Sequence, residues 1–160
     1  MAERIYQLPF AVDAGSIDIL GHVNNCEYLR WMEAAATAHA AQCGWSFDAL
    51  RDAGRMWVAR QHWVEYLRPA FEGDRLNLCT WVQSFRGSAS LRRYALKRGG
   101  ELLMIGATEW IFVDYARRRP VRIGADVAAT FPIVAADDAE LRSLGIDRAI
   151  RYAPSAWLLA

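Results

Sequence analysis

Cysteine is scarce in this sequence and odd in number: Cys26, Cys43 and Cys79 stand far apart. That spacing argues against a disulfide framework or a zinc cluster and for buried thiols in a reducing compartment. Histidine is equally sparse. His22, His39 and His62 show no metal-ligand spacing, so neither a metal nor another cofactor is expected. No run is long and apolar enough to span a bilayer. The opening Met1-Ala2-Glu3-Arg4 lacks the apolar centre of a signal peptide, which makes the cytoplasm the expected location. Charge of one sign is missing too. Nineteen Lys and Arg face eighteen Asp and Glu, a net charge of +1, so neither a nucleic acid nor a membrane surface is an expected partner. There is no internal repeat and no low-complexity segment.

What is present is an ordinary globular composition. The 160 residues are 54% hydrophobic and 23% charged, enough for one domain with a substantial core. One stretch dominates. From Asp18 to Asn25 the chain gathers a carboxylate, Gly21, His22 and two asparagines. An apolar run from Tyr28 to Cys43 follows, and it predicts a helix of roughly 28 Å at 1.5 Å per residue. Asn24 is the expected N-cap, Glu27 its capping-box partner, and Gly44 the left-handed stop. Glu27, Arg30, Glu33 and Thr37 form one narrow polar stripe; the rest is apolar, which predicts a buried helix. The polar cluster would then sit at the helix N-terminus, where free backbone N–H groups favour an anion or oxyanion.

Before the cluster, Ile5 to Val12 reads as a strand, with Pro9 indicating an edge or a bulge. Ser46 to Ala53 reads as a short helix. The period then changes to two. Met56 to Leu67 sets Trp57, Ala59, Trp63 and Leu67 on one face and Val58, His62, Val64 and Tyr66 on the other. Arg75 to Phe85 turns Leu76, Leu78, Thr80 and Val82 to one side. Ser88 to Arg98, a Gly99-Gly100 hairpin and Glu101 to Tyr115 complete the run, and Gly106 marks a bulge or a close backbone approach. Strand, long helix, then four strands in hairpin order predict an α+β domain. Its antiparallel five-stranded curved sheet wraps one long central helix. Residues 125–160 read as an extension of a core spanning about 4–124. Short helices are expected at Asp126 to Phe131 and Asp137 to Leu144, and an apolar tail over Tyr152 to Ala160.

This order, with Asp18-Ile19-Leu20-Gly21 just before the helix, resembles the hotdog-fold thioesterases, most closely the 4-hydroxybenzoyl-CoA and short-chain acyl-CoA thioesterase group. Glu65-Tyr66-Leu67-Arg68-Pro69-Ala70 with Gly73-Asp74 resembles that group's second strand and turn. The resemblance runs from about Ile5 to Ile123. His22-Val23-Asn24-Asn25 is also similar to the acyl-carrier-protein thioesterases of plants. Those have Asn at the place of Leu20, and a carboxylate and a thiol at Pro69 and Ala70. The departure favours the simpler aspartate mechanism of the CoA group.

The resemblance implies an acyl-CoA or related thioester as substrate and a homodimer or homotetramer as the assembly, with sites at the subunit interface. It implies hydrolysis with Asp18 as base or nucleophile and the backbone N–H near Asn25 at the oxyanion. His22 would orient Asp18 or water, or satisfy a loop carbonyl. Gly21, Asn24 and Tyr28 are the expected substrate contacts, although the asparagines also suit capping and Tyr28 also suits the core. Arg92-Arg93, Lys97-Arg98 and Arg117-Arg118-Arg119 are basic clusters. Solvated sheet edges explain most such charges, and Arg117, Arg118 and Arg119 are the expected contacts for CoA phosphates. Trp31, Trp57, Trp63 and Trp110 are candidate walls of an acyl pocket. Glu33 becomes a candidate base only if buried, and Glu65 is expected to make a structural hydrogen bond. Two other readings share the fold: a hydratase or dehydratase using Asp18 and His22, and a non-catalytic acyl-CoA-binding module.

Overall fold

The computed structural model describes residues 1–151, so the expected apolar tail lies outside the described residues. Strand β1 (Tyr6–Ala11) leads through a 3₁₀ turn at Ala14–Ser16 to helix α1 (Asn25–Gln42). Helix α2 (Phe47–Asp52) follows. Next come strands β2 (Arg55–Tyr66), β3 (Arg75–Arg86), β4 (Ala89–Arg98), β5 (Glu101–Asp114) and β6 (Arg119–Pro120). Two short helices, α3 (Ala125–Ala128) and α4 (Ala139–Ser143), end the described chain.

All pairings are antiparallel, in the order β1-β3-β4-β5-β2, with β6 paired to β5. The curved sheet with α1 against it is the expected hotdog-like architecture. The sixth strand is a two-residue addition: the chain turns at Asp114 and pairs back on Val113 and Asp114. Strand β1 is an edge strand, where the missing N–H of Pro9 does little harm.

Helix α1 keeps the boundaries its sequence announces. Asn24 Oδ1 accepts the Cys26 N–H at 2.9 Å, and Gly44 takes φ +91° just beyond the C-terminus. The capping box is only half present. The Asn24 N–H already donates to Ser16 C=O at 2.8 Å, so the Glu27 carboxylate has no donor to reach back to. It lies instead 3.9 Å from Arg30 Nε. The helix is also not buried all round. Tyr28, Met32, Ala35, Ala36, His39 and Ala40 enter the core, while Cys26, Arg30, Glu33, Ala34, Thr37 and Ala41 are exposed. Alanine reads as apolar in sequence but fits an open face as well as a core, so the predicted apolar belt was too wide.

Helix and sheet meet at Gly106. A Cβ there would lie 3.2 Å from Met32 Cε and 3.2 Å from the Trp63 carbonyl. The residue stays in regular register with Val64 and Tyr94, so it serves a close approach and no bulge. Register shifts lie elsewhere, between Val82 and Ser84 of β3, between Leu96 and Lys97 in the β4–β5 pairing, and in β2. Strand β2 shifts register between Ala59 and Gln61, and one extra residue reverses which side chains face the helix. Trp57 therefore packs with Phe112 and Phe131 near α1, whereas Trp63 packs with Leu91, Ala107 and Ile111 on the other face. The expected pairing of Trp57 with Trp63 on one face is overturned for this reason.

That outer face is covered by the chain's own C-terminal segment. Val134, Leu141 and Ile146 pack on Ile5, Cys79, Trp81 and Ala95, and the Val134 N–H donates to Val82 C=O at 3.0 Å. Arg4 bridges Asp138 and Glu140 on the same segment. Glu65, on the outer side of β2, accepts from Arg148 Nη2 at 3.0 Å, the expected structural hydrogen bond, here between opposite charges.

Candidate active site

The loop before α1 is held by its own backbone. Ile17 and Val23 form a bridge across it. The Asp18 N–H donates to His22 C=O at 2.9 Å and the Gly21 N–H donates to Asp18 C=O at 3.0 Å. Gly21 takes φ +82°, a left-handed conformation that suits glycine. The Val23 N–H then donates to Ala70 C=O at 2.9 Å, which fixes the loop to the turn after β2. Asp18 thus reaches the helix N-cap through a short, hydrogen-bonded arc.

The Asp18 side chain is 22% exposed. Its Oδ1 accepts the Leu20 N–H at 2.8 Å, the local turn contact that an aspartate at such a place makes. Its Oδ2 lies 4.0 Å from His22 Nδ1. That nitrogen also lies 3.2 Å from Val23 C=O. A carbonyl only accepts, so Nδ1 donates to it. Asn24 and Asn25 are exposed beside the first helical turn, whose leading N–H groups have no intrahelical partner. The Asn25 carbonyl accepts from the Tyr66 hydroxyl at 3.0 Å.

The other expected contacts are scattered. Tyr28 is 3% exposed and packs against Trp31 and Tyr66 in the core; burial pushes its phenol pKa up. Arg117, Arg118 and Arg119 are exposed at the β5–β6 turn. Tyr66, which touches Asn25, is paired with Met104, ten residues before Asp114. At about 3.4 Å per residue the arginines lie about 34 Å along the strand from the Asp18 end. A single chain does not bring the two together.

A cavity of about 250 Å³ opens along α1 between the helix and the sheet. Glu33, Thr37 and Ala40 border it from the helix; Trp57, Phe85, Trp110 and Phe131 form aromatic walls; Ser90 and Arg92 come from β4. Two of the four tryptophans proposed as walls are therefore present. Trp31 packs on Phe10 and Tyr28, and Trp63 faces outward for the reason given above. Asp18 and His22 are not on this cavity's lining.

Arg92 and Arg93 correct the edge-charge expectation most clearly. Both lie on β4, a central strand, and are 4% and 6% exposed. Alternation sends them to opposite faces. Arg93 donates to Gln83 Oε1 and to the Arg148 carbonyl, each at 3.0 Å. Arg92 Nη1 faces His39 Nδ1 at 2.9 Å and donates to Thr80 Oγ1 at 3.2 Å. The period-two pattern of β4 was the available signal for separating them. Among the described residues, no group of three or more His, Cys, Asp or Glu is placed to hold a metal ion, and no helix is long and apolar enough to cross a membrane.

Comparison with known proteins places the family and the fold. A family model described as the thioesterase-like superfamily matches residues 12–131. YneP of Bacillus subtilis (strain 168), whose name is that of a candidate acyl-CoA thioesterase, is 24% identical over 106 residues. The match covers 66% of this chain and 77% of that protein. The crystal structure of a DHNA-CoA thioesterase from Staphylococcus aureus superposes with a TM-score of 0.73 at 19% identity, over 88% of this chain and 93% of that one. An acyl-ACP thioesterase from Bacteroides thetaiotaomicron gives a TM-score of 0.74 at 17% identity, over 82% of this chain and 54% of that one.

Proposed function

The chain belongs to the thioesterase-like superfamily, and on that footing we propose that it hydrolyses an acyl-CoA thioester to the free acid and CoA, with Asp18 as the reacting carboxylate. The observation that carries the reading is the half-sheltered Asp18 carboxylate, set in a loop that runs directly into the N-cap of α1. The names of the B. subtilis and S. aureus relatives favour CoA as the leaving group.

In the proposed step, Asp18 removes a proton from water and the resulting hydroxide adds to the thioester carbonyl. The Asn25 N–H, pointing out of the first turn, stabilises the oxyanion. Collapse breaks the C–S bond, and the departing thiolate takes the proton. Direct attack by Asp18, through an anhydride that water then cleaves, uses the same groups. The Leu20 N–H fixes the carboxylate's orientation, and His22 Nδ1, held at the Val23 carbonyl, lies 4.0 Å from its other oxygen. The three free thiols suit a cytoplasmic enzyme.

The assembly proposed is a homodimer or homotetramer. Strand β2 is an edge strand with Val58 and Tyr66 exposed, and Ile19 and Leu20 at the loop tip are 101% and 73% exposed. A second copy set on that edge by a two-fold axis would cover these groups. It would also bring opposite ends of the two sheets together, the arrangement in which Arg117, Arg118 and Arg119 could meet the CoA phosphates.

Release of free thiol from a panel of acyl-CoAs tests the function. The native chain should release thiol, and Asp18→Asn should lose about 10²–10⁴ of the rate while keeping its melting temperature. Conversion of hydroxyacyl-CoA without thiol release would replace the hydrolase with a hydratase or dehydratase. Binding without turnover would leave an acyl-CoA-binding module. Full activity in Asp18→Asn would refute the mechanism.

A further inference from the structure

Arg92 is a buried cation with no buried anion. The residue is 4% exposed and borders the cavity described above. Both of its hydrogen bonds use Nη1, to His39 and Thr80. Among the described residues it forms no ion pair with a carboxylate, and neither of these hydrogen bonds uses Nε or Nη2. His39 cannot neutralise it. His39 Nε2 lies 2.9 Å from Glu3 C=O and therefore carries the ring proton, so Nδ1 accepts from Arg92 and the imidazole is neutral. Cys43, the nearest thiol to feel the charge, is held protonated by burial. Glu33 borders the same cavity, but on the exposed face of α1, where water screens its charge.

A buried ion is costly unless an opposite charge meets it. The guanidinium fork also matches a carboxylate better than any neutral group. We propose that this cavity takes the distal end of the acyl group, and that Arg92 selects thioesters whose far end bears a carboxylate: half-thioesters of dicarboxylic acids. The proposal rests on the thioesterase reading for turnover, though not for binding. The aromatic walls from Trp57, Phe85, Trp110 and Phe131 hold the apolar middle of such a group. Thr37 and Ser90 are the uncharged polar side chains on the same lining.

The test pairs substrates that differ only at the far end: adipyl-CoA against hexanoyl-CoA, and 4-carboxybenzoyl-CoA against benzoyl-CoA. The native protein should favour the carboxylated member of at least one pair by about 30-fold or more in kcat/KM, the range for a desolvated charge pair. Arg92→Met should remove the preference while leaving the neutral member's rate within a few-fold. Arg92→Lys, which keeps the charge and can still donate to His39, should retain only part of it; this variant decides if Arg92→Met does not fold. Calorimetric binding of free adipate and terephthalate, against hexanoate and benzoate, reads the subsite without catalysis. If no thiol is released from any substrate but the dicarboxylates still bind more tightly, the thioesterase reading fails and this one stands. Equal kcat/KM within both pairs together with equal binding, or a preference that survives Arg92→Met, overturns it.

Discussion

Replacing Gly106 with alanine tests the contact that sets the height of α1 above the sheet. The backbone allows the change, since Gly106 does not occupy a left-handed conformation. The space does not. The new Cβ would meet Met32 Cε at 3.2 Å, the Trp63 carbonyl at 3.2 Å and Met104 Sδ at 3.4 Å. Met32 can rotate its terminal methyl. The Trp63 carbonyl belongs to β2, whose Val64 is paired with Gly106, so relief there has to move a strand by a few tenths of an ångström. Overpacking of this kind costs about 1–3 kcal/mol. For a chain of this size that is a fall of roughly 2–12 °C in Tm. Urea denaturation and thermal melting of Gly106→Ala measure it. Adding Met32→Leu, which withdraws the terminal methyl, should recover the helix part of the loss and leave the strand part. A Tm within 1 °C or so of the native value, or complete recovery in the double variant, would refute the idea that β2 and α1 both close on this residue.

Three further outcomes are expected. Asn24→Ala loses the cap on the Cys26 N–H and should cost about 1 kcal/mol by urea denaturation, with a drop in thiol release larger than in any equally destabilised core variant. His39 is fully buried, and burial together with Arg92 lowers its pKa from 6.5 to about 4. The unfolded chain therefore takes up a proton as pH falls through 6.5 while the folded chain does not until about pH 4. Stability is full above 6.5, declines from 6.5 to 4 by on the order of 3 kcal/mol, and levels below; His39→Gln should flatten that slope in melts across the window. Ile146 is 0% exposed against the outer face of the sheet. Its replacement by alanine should cost roughly 2–5 kcal/mol in urea, and a negligible loss would show that the C-terminal segment is not part of the cooperative core.

The sequence by itself determined what local chemistry controls. The span of α1 followed from Asn24 and Gly44, because cap geometry is written into neighbouring residues. The faces of β3 followed from strict alternation of Leu76, Leu78, Thr80 and Val82. The edge position of β1 was signalled by Pro9, since a missing N–H is tolerated there. The loop from Asp18 to Asn25 stood out because carboxylate, glycine and asparagine together suit a turn that becomes a helix N-terminus. Only the tertiary structure decided the rest. The extra residue in β2 has no local signature, yet it sends Trp57 toward the helix and Trp63 away from it. The central place of β4 is a property of sheet order, so Arg92 and Arg93 read as solvated charges until their neighbours were known. The separation of Arg117, Arg118 and Arg119 from Asp18 is set by the length of β5. The cavity beside Arg92 exists because two helices, four strands and Phe131 converge from positions far apart in the chain. Pattern along a chain reports on bonds between near neighbours; which buried charge faces which empty space depends on contacts that form only when distant segments pack.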